Sequence, residues 1–182
     1  MTEDAERHIR LWLDDFVVGL NLCPFARPLL GASNLRIAVC ASSDEAELRN
    51  AFLQELDLLQ GSTEQEIATT LLAFPHALQS FADYLSFLDD AQELLLEAGL
   101  EGIVQLASFH PQYRFAGEHP DAASHYSNRA PYPLIHLLRE DMLTRALEEF
   151  VNPERIPDRN IATLNAIGVE ELERRWQAIF SR

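Results

Sequence analysis

The stretch Pro133-Leu134-Ile135-His136-Leu137-Leu138-Arg139-Glu140 carries the fold assignment. Proline suits a first helical turn, where its missing N–H is not needed, so the reading is a helix from Pro133 to about Phe150. On that reading His136 and Glu140 stand four apart and face one side of the helix. The strands then lie upstream. Residues 35–41 (Leu-Arg-Ile-Ala-Val-Cys-Ala), 68–74 (Ala-Thr-Thr-Leu-Leu-Ala-Phe) and 103–109 (Ile-Val-Gln-Leu-Ala-Ser-Phe) are short, apolar and bounded by Gly, Pro or Ser, as strands require.

Helical patterns separate them. Ile9, Trp12, Leu13, Phe16, Val17 and Leu20 recur at helical spacing over 5–21, with Asn21 and Pro24 as stops. Ser42 with Glu45 has capping-box spacing before the stripe Leu48, Phe52, Leu56 and Leu59, and Gly61 suits the end. A third helix spans about 79–98 with Phe81, Leu85, Leu88 and Leu95 inward. Pro153 and Pro157 mark a linker, and a last helix over about 169–180 carries Leu172, Trp176 and Phe180. Strands separated by helices usually pair in parallel through right-handed crossovers. The expected fold is therefore α/β: a small, mainly parallel sheet of about three or more strands covered by helices, in the order α-β-α-β-α-β-α-α, within one domain over 1–182. An antiparallel partner strand within 111–130 or 154–162 is compatible with the pattern.

Composition narrows function mostly by exclusion. The 182 residues carry a formal net charge of −15, which opposes nucleic-acid backbones and anionic membrane surfaces. Lysine is absent. That rules out a Schiff-base lysine, lysine-bound pyridoxal phosphate and a P-loop lysine. The polar, acidic N-terminus and the lack of an apolar run of about 20 residues lead to the expectation of a cytoplasmic protein. Cys23 and Cys40 are expected to be free thiols. Cys23 follows a helix C-terminus, where the dipole disfavours a thiolate, so it reads as a buried structural residue.

Residues 107–140 depart from this background. They hold four of the six histidines and three of the four tyrosines, and their formal charge is zero in a strongly acidic chain. In open parallel sheets ligands bind outside the carboxyl ends of the strands, and Ser42, His76 and His110 follow three expected strand ends. His110 is the first candidate for proton transfer. His136 and Glu140 are candidates to orient or assist. Arg114 and Arg129 could clamp a carboxylate or phosphate, with Tyr113 and Tyr132 donating to the ligand or walling it. His119 and His125, in the loop, read as solvated. His110, His136 and Glu140 together would also make a histidine/carboxylate metal set.

Several of these segments resemble an uncharacterised bacterial family, domain of unknown function 1415. They are Asn21-Leu22-Cys23-Pro24-Phe25-Ala26, Ser108-Phe109-His110-Pro111 with Tyr113-Arg114-Phe115, Asn128-Arg129 with Pro131-Tyr132-Pro133, and His136-Leu137-Leu138-Arg139-Glu140. The likeness extends through Ile156-Pro157 and Asn160-Ile161-Ala162. Ala130 stands where the family pattern has serine. The resemblance implies a stand-alone domain and brings no activity, cofactor or substrate. The leading functional expectation is an enzyme acting on a small anionic molecule. The alternatives are a ligand-binding or protein-interaction module without chemistry, and a metalloprotein.

Overall fold

The computed structural model describes residues 2–182. Helix α1 (Thr2–Trp12) runs into a wider, π-helical turn over Leu13–Val18. Then come β1 (Leu35–Val39), α2 (Glu45–Gly61), β2 (Thr69–Ala73), α3 (Phe81–Glu97) and β3 (Val104–Phe109). A short 3₁₀ turn (Ala123–Ser127) precedes β4 (Leu134–Arg139), α4 (Glu140–Glu149), α5 (Ile156–Ile167) and α6 (Val169–Ile179).

The four strands form one mixed sheet in the order β1-β2-β4-β3. β1 pairs with β2 in parallel, whereas β4 is antiparallel to both β2 and β3. The expectation of a mainly parallel sheet is therefore corrected: one ladder is parallel and two are antiparallel. The expected element order is corrected with it, because residues 134–139 are strand, not helix. β1, β2 and β3 still point the same way, and β4 enters between β2 and β3 from their carboxyl end.

The reason lies in burial on both faces. Leu134 belongs to the apolar layer beneath α1, α5 and α6, while Ile135 and Leu137 belong to the layer beneath α2 and α3. A central strand covered on both faces reads as an unbroken apolar run, without the alternation that marks a half-exposed strand. Arg139, its last residue, is also the N-cap residue of α4, so strand and helix follow without a loop.

Other boundaries shift for local reasons. Asp44, not Ser42, caps α2: its carboxylate accepts from the Ala46 and Glu47 N–H groups at 3.0 and 3.2 Å. The Ser42 hydroxyl accepts from the Asp44 N–H instead. On α3 the buried face is Tyr84, Phe87, Ala91 and Leu95, and Leu85 is exposed. The expected linker contains α5, with Pro157 in its first turn, where proline costs nothing.

The π-helical turn after α1 depends on the glycine that closes it. Its widened ladder includes Gly19 N–H to the Asp14 carbonyl, 2.8 Å, and Leu22 N–H to the Val17 carbonyl, 2.9 Å. A Cβ on Gly19 would run into the backbone carbonyl oxygens of Asp15 and Asp14. Gly19→Ala must push this backbone apart, and overpacking of this kind costs about 1–3 kcal/mol. Urea unfolding should show that loss; an unchanged midpoint would mean that the turn relaxes freely.

Candidate functional site

The polar residues of 107–140 fall into two groups once placed. The first holds the long loop in position. His110 is fully buried. Its Nδ1 accepts the Gln112 N–H at 3.0 Å, and its Nε2–H donates to the Leu78 carbonyl at 2.9 Å. Phe81 and Tyr84 of α3 pack against the ring, and burial holds its pKa below the ordinary value. Both nitrogens are thus committed to backbone.

His125 repeats the device and corrects the expectation of a solvated side chain. It is fully buried, accepts the Phe115 N–H on Nδ1 at 3.2 Å and donates from Nε2 to the His119 carbonyl at 2.9 Å. Asn128 ties the same loop to β3: its Nδ2 donates to the Ser108 carbonyl, and its own carbonyl accepts from the His110 N–H. A loop without periodicity has no ladder to satisfy its backbone, so side chains must do so. Imidazole suits the task, offering one donor and one acceptor.

The expected ligand-binding residues are spread over different surroundings. Arg114 is exposed. Arg129 stacks 4.5 Å above the Tyr126 ring with Nε buried and unpaired. The Tyr126 hydroxyl donates to Glu173 at 2.6 Å. Tyr113 packs between Phe81 and Phe115, with its hydroxyl 3.3 Å from Ser108 Oγ. Tyr132 stacks on His8, its hydroxyl hydrogen-bonded to His8 Nδ1 at 2.7 Å.

Glu140 opens α4, and its N–H donates to the Ile103 carbonyl. Because a strand advances about 3.3 Å per residue, His136 and Glu140 are roughly 13 Å apart along the chain and share no helix face. His110 packs on the α3 side of the sheet and His136 faces the other, so the five leading candidates do not converge. Among the described residues no group of three His, Cys, Asp or Glu side chains could hold a metal ion.

His136 belongs to the second group. It lies on the sheet face toward α1, opposite Leu71 and Ala107 in the two ladders. Thr69 Oγ1 sits 2.6 Å from its Nε2 and donates its single proton to the Leu137 carbonyl at 2.8 Å. The proton between Thr69 and His136 must therefore come from the imidazole, which fixes the Nε2–H tautomer. Burial pulls the pKa down to about 4, so the ring is neutral at pH 7. Nδ1 carries the lone pair and accepts no protein hydrogen bond among the described residues; the side chain is half-buried, and this nitrogen is still reached by solvent through the cavity.

A cavity of about 220 Å³ lies against this ring. Trp12, Leu13, Val17 and Val18 from α1 and its π-helical turn form one wall. Cys23, Phe25 and Leu29 of the following loop, Phe109 of β3, and Met142 and Leu143 of α4 close it. Arg139 borders it, yet spends Nε on the Ile67 carbonyl and Nη2 on the Leu59 and Ser62 carbonyls. Cys23 is free, and burial raises its thiol pKa despite the nearby Phe25 and Ala26 N–H groups. It is a weakly polar wall, not a ready nucleophile.

A larger, more open cavity of about 530 Å³ shares Val17, Cys23 and Phe109 with the first. Ser124, Asn128, Glu118 and Asn160 bring polar groups to it. Sequence patterns give little sign of this pair of cavities. Cys23 has a recognisable chemistry, but its place beside a helix terminus argues against a role. Thr69, which sets the His136 tautomer, gives no signal in a strand pattern.

The profile of a family described as "Protein of unknown function (DUF1415)" matches residues 4–174. No curated protein and no solved structure matches the chain. No helix of the described residues is long and apolar enough to cross a membrane.

Proposed function

The chain belongs to the DUF1415 family, whose description names no function, and we propose from the cavity itself that this protein binds a small, mainly apolar molecule presenting a hydrogen-bond donor to His136. One observation carries the reading: an imidazole held neutral, with its tautomer set by Thr69, leaves an unpaired acceptor on the wall of an apolar cavity. An apolar ligand would displace water from this acceptor and leave it unpaired, at a cost of about 1–3 kcal/mol, whereas a ligand hydroxyl or amide N–H would replace the water as donor. Sites of this kind, apolar with a few placed polar groups, are the usual form of small-molecule pockets.

The same nitrogen disfavours an anion, because a lone pair facing a carboxylate or phosphate repels it. The anion-directed enzyme expected from His110, Arg114 and Arg129 therefore finds less support than binding does. His110 has no free nitrogen, and neither Arg114 nor Arg129 borders this cavity.

Trp12 lines the cavity, so its fluorescence reports occupancy. Octanol is expected to bind and to change Trp12 emission, with octanoate at least about tenfold weaker. In His136→Phe the alcohol should lose about fivefold, the worth of roughly 1 kcal/mol for one hydrogen bond. Equal binding of octanol and octanoate, or no binding of either, would sink the assignment.

A further inference from the structure

The larger cavity has a polarity of its own. Ser124 is 4% exposed, borders this space and has no partner for its hydroxyl. Asn160 donates from Nδ2 to the Leu22 carbonyl at 2.8 Å, which leaves Oδ1 buried and unpaired beside the same cavity. Glu118 brings an exposed carboxylate without a hydrogen-bond partner among the described residues. Ser127 and Asn128 satisfy each other at 3.0 Å. No arginine or histidine is in the lining. Arg159, whose field reaches Cys23, donates to the Asn21 carbonyl and lies outside it.

The free groups are therefore acceptors, apart from hydroxyl and thiol protons, and one of them is charged. What complements such a set is a cationic donor: a primary ammonium has three N–H groups and no acceptor. An anionic head would meet Glu118 with like charge, inside a chain whose net charge is already −15.

Building on the proposed function, we infer that the two cavities form one site for an elongated molecule with a donor at each end. Its inner hydroxyl or amide N–H meets His136, its apolar middle passes the shared wall of Val17, Cys23 and Phe109, and its outer primary ammonium meets Glu118, Asn160 and Ser124. Two buried unpaired oxygens and an unpaired carboxylate around one space carry the outer half. The unpaired imidazole nitrogen carries the inner half.

The test compares octanol with 8-amino-1-octanol, and with chain lengths from about six to ten carbons to bracket the span. Binding is read by Trp12 fluorescence and calorimetry on the full chain. The amino alcohol is expected to bind about three- to fivefold tighter than octanol, the range of a partly exposed ion pair. Glu118→Gln should erase that ratio, whereas Glu101→Gln, an exposed carboxylate outside the cavity lining, should preserve it. Ser124→Ala should weaken the amino alcohol more than octanol. A ratio near one in the wild type, or one indifferent to Glu118→Gln, overturns the outer half while octanol binding still supports the His136 cavity. If neither compound binds at any length, both readings fall.

Discussion

Arg139→Leu is expected to lower the unfolding free energy by on the order of 3 kcal/mol, with no ion pair broken. Arg139 has no carboxylate partner within bonding distance among the described residues. Its Nε donates to the Ile67 carbonyl at 3.0 Å, and Nη2 reaches the Leu59 and Ser62 carbonyls, each at 2.7 Å, and Ser62 Oγ at 3.0 Å. These acceptors mark the C-terminal end of α2 and the start of β2. Orphan carbonyls at a helix end need donors, and a cation is favoured there by the helix dipole.

Hydrogen bonds to charged donors are worth about 1.5–3 kcal/mol each, but they are not additive. The expected loss therefore corresponds to little more than one such bond. Arg139→Lys should recover less than half, because an ammonium cannot reproduce a planar fork that spans separate carbonyls. Urea midpoints for the three proteins decide it. A loss below about 1 kcal/mol in Arg139→Leu would show that water replaces the guanidinium without difficulty.

The first 110 residues were largely legible because local pattern and tertiary role agree there. The stripe Leu48, Phe52, Leu56 and Leu59 is buried as helical spacing requires, and three strands lie within a residue or two of their expected bounds. At 134–139 local pattern and role diverge. Proline before an apolar run fits a helix start, yet the same run fits a strand buried on both faces. The choice is made by β2 and β3, which offer two ladder edges that the local sequence cannot see. The site was hidden for a related reason. Histidine-rich composition points first to His110, whereas the decisive feature of His136 is a Thr69 hydroxyl 67 positions upstream. Histidine serves both as a loop clasp and as a cavity acceptor, and composition does not distinguish the two. His110 and His125, with both nitrogens on backbone, are clasps.

Stability should fall between pH 7 and pH 5, because folding keeps His136 neutral while the unfolded chain gains a proton there. The folded imidazole takes up its proton only near pH 4, whereas an unfolded histidine does so near its ordinary value of 6.5. Between those values the unfolded chain binds more protons, so stability drops with pH through the window. A difference of about 2.5 pKa units corresponds to about 3 kcal/mol at full development. His110 and His8 are displaced in the same direction by burial, with His8 also repelled by Arg7, and both add to the loss.

Carboxylates act in a lower window. Glu171, held down to about 2 by Arg174 and Arg175, contributes stability that is lost only as pH falls below the ordinary carboxylate value of 4.5. Urea titrations at pH 7, 6 and 5 therefore isolate the histidines. The wild type should weaken steadily across that range, while His136→Gln, weaker at pH 7 for want of the Thr69 contact, should show a shallower slope. Bound octanol should raise stability at every pH in this range and carry the loss further toward acid, since a donor on Nδ1 stabilises only the neutral ring and moves the folded protonation below pH 4. Parallel slopes for wild type and His136→Gln would place the acid sensitivity on the clasp histidines and leave His136 without its buried neutral state.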